Sequence, residues 1–364
     1  MLAYLHDLAT DRRKGFLAGT IKSFLYPASL IYGLAVRALT FIYRLKPRAL
    51  GCKVISAGNI TLGGTGKTSL VLLIARYLKE NGHKVAIVSR GYKRQIPNPC
   101  LSGRQAKSRI PNEEAMGDEP AMLKMNLKDI PVIVDADRIC GARIAVRDFG
   151  ADTVILDDGF QQWRLKKDLD IVAIDAVYLF GNRRLIPRGI LREPLSSLKR
   201  ADMFILTKSD LAPNNKDIKE YLNSINPAAP VLGSIHSPVG FYRMDKQDEL
   251  LNINSLRGKT AVLFSGIGDP GSFEKLIKNL GIRVEFSFRF RDHHNYTRKD
   301  LDNITRCSEE KNTDAIITTE KDAVRIRNSR LTAPGSGLLY LRVELKITDN
   351  EQEFHNRLLR LYSS

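Results

Sequence analysis

A glycine-rich segment at residues 59–70, NITLGGTGKTSL, constrains the fold more than any other part of this sequence. An apolar run, CKVISAGN, leads into it, and a stretch with helical spacing, KTSLVLLIARYLKENG, follows it. A strand, a glycine-rich loop and a helix in this order are typical of a phosphate-binding loop. The segment therefore predicts a nucleotide-binding α/β domain.

The loop matches the pattern G-x-x-x-x-G-K-[ST] except at its first position, which holds Thr61. Gly63, Gly64 and Gly66 allow backbone N–H groups to turn towards phosphate oxygens without Cβ clashes. Thr61 leaves this anion cradle intact, and a glycine-rich turn without a ligand is the alternative. The predicted nucleotide-binding residues are Thr61, Gly63, Gly64, Thr65, Gly66, Lys67 and Thr68.

Two adjacent carboxylates, Asp157 and Asp158, follow another apolar run in TVILDDGFQ. The acidic residue of a Walker B segment ends a strand in the same way and holds the metal of the nucleotide. Beside the phosphate loop, these two residues and the hydroxyl of Thr68 are expected to bind Mg²⁺ or its waters. A turn built from Asp-Asp-Gly is the alternative interpretation.

Apolar runs alternate with helical patterns along the rest of the chain. This alternation predicts an α/β fold of the P-loop NTPase type, with a parallel sheet covered by helices on both faces. A second, smaller α/β domain is expected after a loosely placed boundary between residues 214 and 256, and residues 94–112 are expected to form a mobile loop. The predicted segments are 1–45, apolar and basic; 46–225, the phosphate-loop domain; 226–330, the second α/β domain; and 331–364, a C-terminal segment with a return to the first domain as one option.

Residues 24–43, FLYPASLIYGLAVRALTFIY, are strongly apolar but contain Pro27 and Arg37. The uncharged run is shorter than the roughly 18 to 20 residues that span a bilayer. Basic flanks favour a helix, broken near Pro27, in the headgroup layer of an anionic membrane. A helix packed on its own domain and a cleaved signal peptide are the alternatives.

The formal net charge of +17 indicates an anionic partner, which the charge alone does not identify. Nucleic acid, an anionic membrane and a phosphorylated substrate all fit, although the sequence carries no nucleic-acid recognition motif. Lys208 and Asp210 in ILTKSD resemble a guanine-specificity motif, and a solvated strand end explains them as well. GIGDPG at residues 266–271 matches G-x-G-x-x-G, and we interpret it as a strand-to-helix turn.

Ten short segments together resemble one family. In chain order they are GNITLGGTGKT, SRGY, GDEP, VDADR, LDDGFQ, LDIVAIDA, RGILREPL, SGIGDPGSF, FRDHHNY and TTEKDAVRI. In this order they resemble the tetraacyldisaccharide 4′-kinases, the lipid A pathway kinases of Gram-negative bacteria, from about residue 51 to residue 325. That family carries Thr at the first loop position, which accounts for Thr61. Gln162 is a departure, since the family usually has His there.

The resemblance implies transfer of the γ-phosphate of ATP to the 4′-hydroxyl of a tetraacylated glucosamine disaccharide 1-phosphate. It implies ATP and Mg²⁺ as cofactors, two α/β domains that meet over the site, and attachment to the cytoplasmic face of the bacterial inner membrane. The expected partners are the lipid substrate and an anionic membrane surface. No nucleic acid and no obligatory protein partner are expected.

The family's base position corresponds to Asp118 in GDEP, and we expect His293 of FRDHH to be its partner. A hydrogen-bonded imidazole can orient a carboxylate and take up proton charge. Because the two residues belong to different predicted domains, domain closure would assemble the pair. Taken locally, Asp118 also fits an N-cap, His293 fits a surface loop, and His294 is the alternative imidazole.

Arg90, Arg192 and Glu193 are further candidates for contacts with phosphate and with the metal shell, and Glu193 is included among the predicted metal residues. Ordinary surface salt bridges explain these three residues equally well. A GTP-dependent switch or metallochaperone-type protein is the alternative function, in which ILTKSD would read guanine. Such a protein would prefer GTP and hydrolyse it without an acceptor, whereas the kinase needs a lipid disaccharide.

Overall fold

The computed structural model describes residues 8–11, 13–91, 116–212, 214–244, 246, 249–329, 331 and 338–363. The predicted mobile loop at residues 94–112 lies outside these residues. The helices of the described chain are α1 (Phe16–Leu45), α2 (Lys67–Glu80), α3 (Asp118–Asn126), α4 (Arg138–Phe149), α5 (Asn215–Ile225), α6 (Pro270–Asn279), α7 (Arg298–Glu310), α8 (Glu320–Asn328) and α9 (Glu351–Leu359). The strands are β1 (Lys53–Gly58), β2 (Val85–Ser89), β3 (Val132–Val134), β4 (Thr153–Asp157), β5 (Leu169–Asp175), β6 (Met203–Thr207), β7 (Val231–Arg243), β8 (Leu250–Leu251), β9 (Thr260–Ser265), β10 (Arg283–Arg289), β11 (Ala315–Thr319) and β12 (Leu338–Ile347).

The strands of the described residues form a twelve-stranded sheet in the order β10-β9-β11-β12-β7-β6-β5-β1-β4-β2-β3, with β8 beside β7. Strands β1–β6 form the first half of this sheet, and β8–β12 form the second half. The strand pairs are parallel except for β7 with β12 and β7 with β8, among the strands that the structure describes. The prediction of an α/β fold with a largely parallel sheet is confirmed, but the sheet is mixed where its two halves meet.

Strand β7 belongs to both halves of the sheet. Its residues 231–233 pair in parallel with β6, and its residues 234–243 pair antiparallel with β12. Long-range pairing of this kind leaves no local signal in the sequence. The two α/β units are therefore joined by continuous backbone hydrogen bonding as well as by the chain.

Helices cover both faces of the sheet, as the apolar runs predict. In β1, Ile55 and Ala57 pack with α2 on one face, whereas Val54 packs with α4 on the other. In β9, Phe264 packs with α7 and α8, and Leu263 packs with α6. Successive strand residues point to opposite faces, so each fully apolar run fills two cores at once.

The carboxyl ends of the central strands meet at one edge of the sheet. Ala57 of β1 is in register with Asp157 of β4, and Asp175 of β5 is in register with Thr207 of β6. The polar residues that follow these strands are thereby brought together. This edge carries the candidate site.

Helix α1 is continuous over 30 residues and contains Pro27, so the predicted break at this proline is wrong. A proline inside a helix leaves the carbonyl four residues earlier without its donor. That carbonyl belongs to Ser23, which is exposed like Pro27, so water can pair with it. Ser29 docks the helix on the first half, because its hydroxyl donates to the carbonyl of Leu185 at 2.8 Å and accepts from the N–H of Arg188 at 2.9 Å.

Most of α1 is exposed although it is apolar. Among the described residues it is the one helix whose length and composition would let it cross a membrane, and 17% of its most apolar window is buried. Phe24, Ile31, Leu34 and Phe41 are among its exposed apolar side chains. An isolated helix with this composition needs a partner that covers it.

Helix α9 packs on the first half of the sheet. Its Phe354 and Leu358 are fully buried in the same core as Leu70 of α2 and Ile55 of β1. Further along, the hydroxyl of Tyr362 lies 2.7 Å from the hydroxyl of Thr153 at the start of β4. Residues far along the chain thus complete the core beneath the phosphate loop.

Candidate active site

The glycine-rich loop connects β1 to α2. Gly63 and Gly66 have φ values of +115° and +77°, in the region that favours glycine. A Cβ at Gly63 would meet no atom within 4 Å, so backbone conformation alone requires glycine there. At Gly66, a Cβ would lie 3.3 Å from the side chains of both His236 and Thr207. The loop therefore has the open, inward-turned backbone that an anion cradle needs.

Thr61 occupies the position at which a strict phosphate loop begins with glycine. It pairs with Leu191 in an isolated antiparallel bridge. On either side of this bridge, the N–H of Leu62 donates to the carbonyl of Ile190, and the N–H of Arg192 donates to the carbonyl of Ile60, both at 2.8 Å. Thr61 does not have a positive φ. Its position needs an extended residue, so a side chain costs nothing there.

Lys67 begins α2, and Thr68 follows it in the first helical turn. The side chain of Lys67 is largely buried, with Nζ 3.6 Å from Oδ1 of Asp158. Burial lowers the pKa of Lys67, and the charge of Asp158 opposes this change. A buried cation at a helix N-terminus is a site for phosphate.

Asp157 is the last residue of β4, and its carboxylate is buried. The hydroxyl of Ser89, at the end of β2, donates to Oδ2 of Asp157 at 2.9 Å. Burial raises the pKa of Asp157 to about 6, and the charge of Asp158 adds to the increase. A carboxyl that is costly to ionise in this way is stabilised when a cation binds beside it.

Asp158 has a left-handed backbone, with φ +54°. Its carboxylate accepts two hydrogen bonds from Nη1 of Arg192, at 2.8 and 3.0 Å. Burial on its own would raise the pKa of Asp158, but the charges of Lys67 and Arg192 outweigh burial and hold the pKa below its ordinary value. Arg192 thus faces the predicted site. Arg90 is exposed, and its charge acts on Arg138 together with those of Asp157 and Asp158.

Oxygen donors of this kind suit Mg²⁺, which binds one or two carboxylates together with waters and substrate phosphates. In the part of the chain that the structure describes, no three His, Cys, Asp or Glu side chains converge as a metal site. The buried hydroxyl of Thr65 and the buried amide of Asn59 have no hydrogen-bond partner within the described chain. Both residues adjoin the glycine turn. Unpaired buried groups here fit a site that a nucleotide with its metal completes.

Glu193 is fully buried, and its carboxylate is occupied by three donors. Arg200 donates to both oxygens at 2.8 and 3.0 Å, Gln161 donates at 3.1 Å and the Trp163 indole donates at 3.2 Å. The structure therefore places Glu193 in a hydrogen-bonded cluster, in which Gln161 links it to Arg192, the partner of Asp158. Gln161 and Trp163, the neighbours of Gln162, thus contact Glu193 through their side chains, and the N–H of Gln162 donates to the carbonyl of Gly159 at 2.9 Å.

Asp118 and His293 come together across the two halves of the sheet. Oδ2 of Asp118 lies 3.0 Å from Nδ1 of His293. Asp118 is the first residue of α3, and Gly117 stands at the cap position, so Asp118 does not cap this helix. His293 has a left-handed backbone, with φ +59°. Such conformations cost of order 1–3 kcal/mol and cluster at functional sites.

Arg325 of α8 is a third member of this group, and no role is predicted for it from the sequence. Its Nε donates to Oδ2 of Asp118 at 2.6 Å, and its side chain is 4% exposed. Burial would raise the pKa of Asp118, but the hydrogen bond from His293 and the charges of Arg325 and Lys321 lower it to about 2. Arg325 lies in TTEKDAVRI, one of the segments that carry the family resemblance, so a signal was present.

The N-terminal end of α3 also faces the phosphate loop. Glu119 forms an ion pair with Lys321 of α8 at 2.9 Å. The charge of Glu119 also acts on Lys67, where it opposes the lowering of the pKa, and on Asp157, where it adds to the raised pKa. The sequence left Glu119 unassigned, although it is the neighbour of Asp118. Glu119 therefore interacts electrostatically with Lys67 and Asp157 at the phosphate loop as well as with Asp118 and His293.

His294 has a different environment from His293. Its Nε2 lies 3.1 Å from Oδ2 of Asp300, the residue that completes the capping box of α7. Its ring stacks on Phe290 with the centroids 4.5 Å apart. These contacts assign His294 to packing and helix capping. Of the two histidines, His293 is the one beside Asp118.

Lys208 of the ILTKSD segment connects the two halves of the sheet. Its ammonium lies 2.8 Å from carboxylate oxygens of both Asp175 and Asp269. Asp269 caps α6 in the GIGDPG turn, where it accepts from the N–H of Ser272 at 3.2 Å. The preceding Thr207 donates its hydroxyl to the carbonyl of Thr65 at 3.2 Å. The lysine is therefore part of the contact between the two halves.

The chain is similar to one family over nearly all of its length. The model of the family LpxK, described as tetraacyldisaccharide-1-P 4′-kinase, matches residues 21–363. The tetraacyldisaccharide 4′-kinase of Halothermothrix orenii is 40% identical over 312 residues, which cover 81% of this chain and 80% of that protein. The tetraacyldisaccharide 4′-kinase of Elusimicrobium minutum is 37% identical over 339 residues, covering 90% and 88%. A crystal structure of LpxK from Aquifex aeolicus in complex with ATP superposes with a TM-score of 0.73 at 28% identity, covering 94% of this chain and 99% of that one.

Proposed function

Because this chain belongs to the tetraacyldisaccharide 4′-kinase family, we propose a specific role for each residue cluster of the candidate site. The chain is an ATP-dependent kinase that phosphorylates the 4′-hydroxyl of a tetraacylated disaccharide 1-phosphate in lipid A biosynthesis. Three tasks follow from this reaction. The protein must hold the triphosphate, accept the hydroxyl proton and meet a lipid substrate.

The loop from Thr61 to Thr68 holds the triphosphate. Backbone N–H groups around Gly63 and Gly66 face its oxygens, and Lys67 is placed to neutralise charge on the transferred group. Mg²⁺ would be held by Thr68, Asp157 and Asp158, and when bound it neutralises charge on the β- and γ-phosphates. Glu193 supports this site indirectly, through Gln161 and Arg192, since its own oxygens are occupied.

Asp118 accepts the proton of the 4′-hydroxyl, and His293 is its partner. The hydroxyl oxygen forms a bond to the γ-phosphorus, and the bond from that phosphorus to the β–γ bridging oxygen breaks, so that ADP leaves. With a pKa near 2, Asp118 is a weak base, and its main contribution is to orient the hydroxyl until the proton becomes acidic late in the transfer. The imidazole then shares the proton charge.

We infer that the enzyme lies on a membrane, and the exposed apolar side of α1 supports this inference. The substrate carries four acyl chains, so it resides in a bilayer, and the excess of basic residues favours an anionic surface. We assign the chain to the cytoplasmic face of the bacterial inner membrane, where ATP is present. A GTP-dependent switch finds less support, because Lys208 of the guanine-like motif is already paired with two carboxylates.

The contact of 3.0 Å between Asp118 and His293 is the observation that carries this proposal. The test is to incubate the purified protein with γ-labelled ATP, Mg²⁺ and tetraacyldisaccharide 1-phosphate in detergent. Label should enter the lipid. Asp118→Asn and His293→Ala should each slow transfer by about 10²- to 10⁴-fold, the range of general acid–base catalysis, without weakening ATP binding.

His294→Ala is the matched control, because it removes an adjacent imidazole that contacts Asp300 and Phe290 instead of Asp118. This variant should retain transfer within a few-fold of the wild-type rate. The assignment of the pair is wrong if Asp118→Asn transfers label at the wild-type rate, or if His294→Ala is as slow as His293→Ala.

A further inference from the structure

The two oxygens of Asp118 have different surroundings. Oδ2 receives Nε of Arg325 at 2.6 Å and lies 3.0 Å from Nδ1 of His293. Oδ1 has no hydrogen-bond partner among the described residues, and the Asp118 side chain is 23% exposed. One oxygen is therefore anchored, and the other is left for a ligand.

Arg325 is held rigidly by other groups. Its Nη1 donates to the carbonyl of Gly266 at 2.5 Å and to Oδ1 of Asp322 at 2.8 Å. Asp322 is itself fixed, because its Oδ2 accepts from the N–H of Gly266 at 3.1 Å and from the hydroxyl of Thr319 at 2.7 Å. The guanidinium group is thus held by the β9–α6 and β11–α8 turns, and it in turn holds Oδ2 of Asp118 in place.

We propose that Arg325 is a positioning residue, an inference that rests on the proposed function. Together with His293, Arg325 fixes Oδ2 of Asp118, so that Oδ1 is the oxygen that takes the 4′-hydroxyl proton. The O–H bond breaks towards Oδ1, and the electron pair it leaves forms the bond to the γ-phosphorus. ADP departs with the electrons of the broken P–O bond. Arg325 gives up no proton in this step.

Arg325 also constrains His293, since its Nη2 lies 3.2 Å from the same Nδ1 that faces Asp118. A guanidinium only donates, and an ionised carboxylate only accepts. Nδ1 therefore bonds Arg325 when it lacks a proton and Asp118 when it carries one. This competition keeps the ring between its two partners, and lysine, with a single point of charge, cannot reproduce it.

The test compares Arg325→Gln and Arg325→Lys with the wild-type enzyme in the lipid-labelling assay. Arg325→Gln should lower kcat about 100-fold, the usual effect of misplacing a reacting group by about 1 Å, with KM for ATP unchanged. Arg325→Lys should fall between the two, because it keeps the charge but loses the fork. Guanidinium ion, added well below unfolding concentrations, should partly restore the rate of Arg325→Ala.

The pH profile separates positioning from a general loss of structure. The ionisable groups that face Asp118 are His293, Arg325, Lys321 and Glu119. Arg325 lowers the pKa of Asp118, so its removal should raise that pKa. Because only ionised Asp118 accepts the proton, the acid limb of the plot of kcat against pH should then move to higher pH. Arg325→Lys should leave the limb in place.

Arg327→Gln is the matched control. Arg327 also lies on α8 and contacts α3, but through Sδ of Met125 at 3.0 Å and away from Asp118. It should keep the wild-type rate and pH profile. The role of Arg325 is overturned if Arg325→Gln or Arg325→Lys has a wild-type kcat, or if the acid limb of Arg325→Gln does not move. A wild-type enzyme that fails to label the lipid would instead remove the proposed function itself.

Discussion

The ammonium of Lys208, at the end of β6, lies 2.8 Å from the carboxylate of Asp269, at the start of α6. The two residues belong to opposite halves of the sheet, and Lys208 adjoins Thr207, which bonds the phosphate loop. This ion pair connects the nucleotide-binding half to the half that carries His293. Burial would raise the pKa of Asp269, but Lys208 and Ser272 lower it.

We predict that Lys208→Met destabilises the protein by about 3 kcal/mol, because it leaves two partly buried carboxylates without a cation. Asp269→Asn should cost less, since asparagine still caps α6 and only the charge is lost. Urea unfolding of both single variants and the double variant gives the coupling energy, expected near 1 kcal/mol. Additive effects would show that the pair does not join the halves energetically.

The same ion pair has a defined pH dependence. Because Asp269 has a lowered pKa in the folded protein, its contribution to stability is present above the unfolded pKa of about 3.9 and is lost as pH falls through the folded value. The difference in unfolding free energy between wild type and Asp269→Asn should therefore be constant from pH 7 to pH 5 and shrink below pH 4. A difference that grows on acidification would contradict this sign.

For the phosphate loop we predict that Thr61→Gly does not tighten ATP binding. Thr61 already has an extended backbone paired with Leu191. Glycine there would only increase the entropy of the unfolded chain, which lowers the stability of the protein by about 0.5–1 kcal/mol. Gly66→Ala, in contrast, forces a side chain to φ +77° and should weaken ATP binding about tenfold or more. Calorimetric titration with ATP measures both effects, and tighter binding by Thr61→Gly would contradict the first.

Glu193→Gln is expected to act on stability and not on the metal. The change keeps the shape of the side chain but leaves Arg200, whose side chain is 12% exposed, without its counter-ion, at a cost of about 3 kcal/mol. The Mg²⁺ dependence of the labelling rate should stay the same, whereas Asp157→Asn should require more Mg²⁺. A Glu193→Gln variant that is as stable as the wild type but requires more Mg²⁺ would indicate instead that Glu193 is a metal ligand.

For α1 we predict binding to anionic vesicles through its exposed apolar side. Ile31→Asp and Leu34→Asp remove side chains that are 69% and 65% exposed and should each weaken vesicle co-sedimentation about tenfold, since burying such a side chain contributes roughly 1.5–3 kcal/mol. Ser23→Asp adds the same charge to the same helix without removing an apolar group, so it is the control. Equal loss in all three variants would indicate electrostatic repulsion alone.

The phosphate loop and the apolar strands could be predicted from the sequence because their signals are local. Gly63, Gly66 and Lys67 lie within five residues of one another, and Asp157 ends its own strand. The pairing of Asp118 with His293 spans 175 residues. No local pattern links them, so only the family resemblance named both.

Other features depend on three-dimensional context that a linear pattern does not carry. The partner change of β7 from β6 to β12 leaves no mark on its own residues. A proline such as Pro27 breaks a helix when the carbonyl four residues earlier is buried without a donor. Here that carbonyl belongs to Ser23, which is exposed. For Glu193 the sequence indicated a contact with the metal shell or a surface salt bridge, and it carried no sign of the three donors Arg200, Gln161 and Trp163.

The packing of α9 on the first half has a consequence for biosynthesis. Ile55 and Leu70 share their core with Phe354 and Leu358, which are translated almost 300 residues later than Ile55. At ribosomal rates of about 5–20 residues per second, this interval lasts on the order of 15 to 60 seconds. Until α9 has been made, the apolar side chains that Phe354 and Leu358 cover in the folded protein lack these two packing partners.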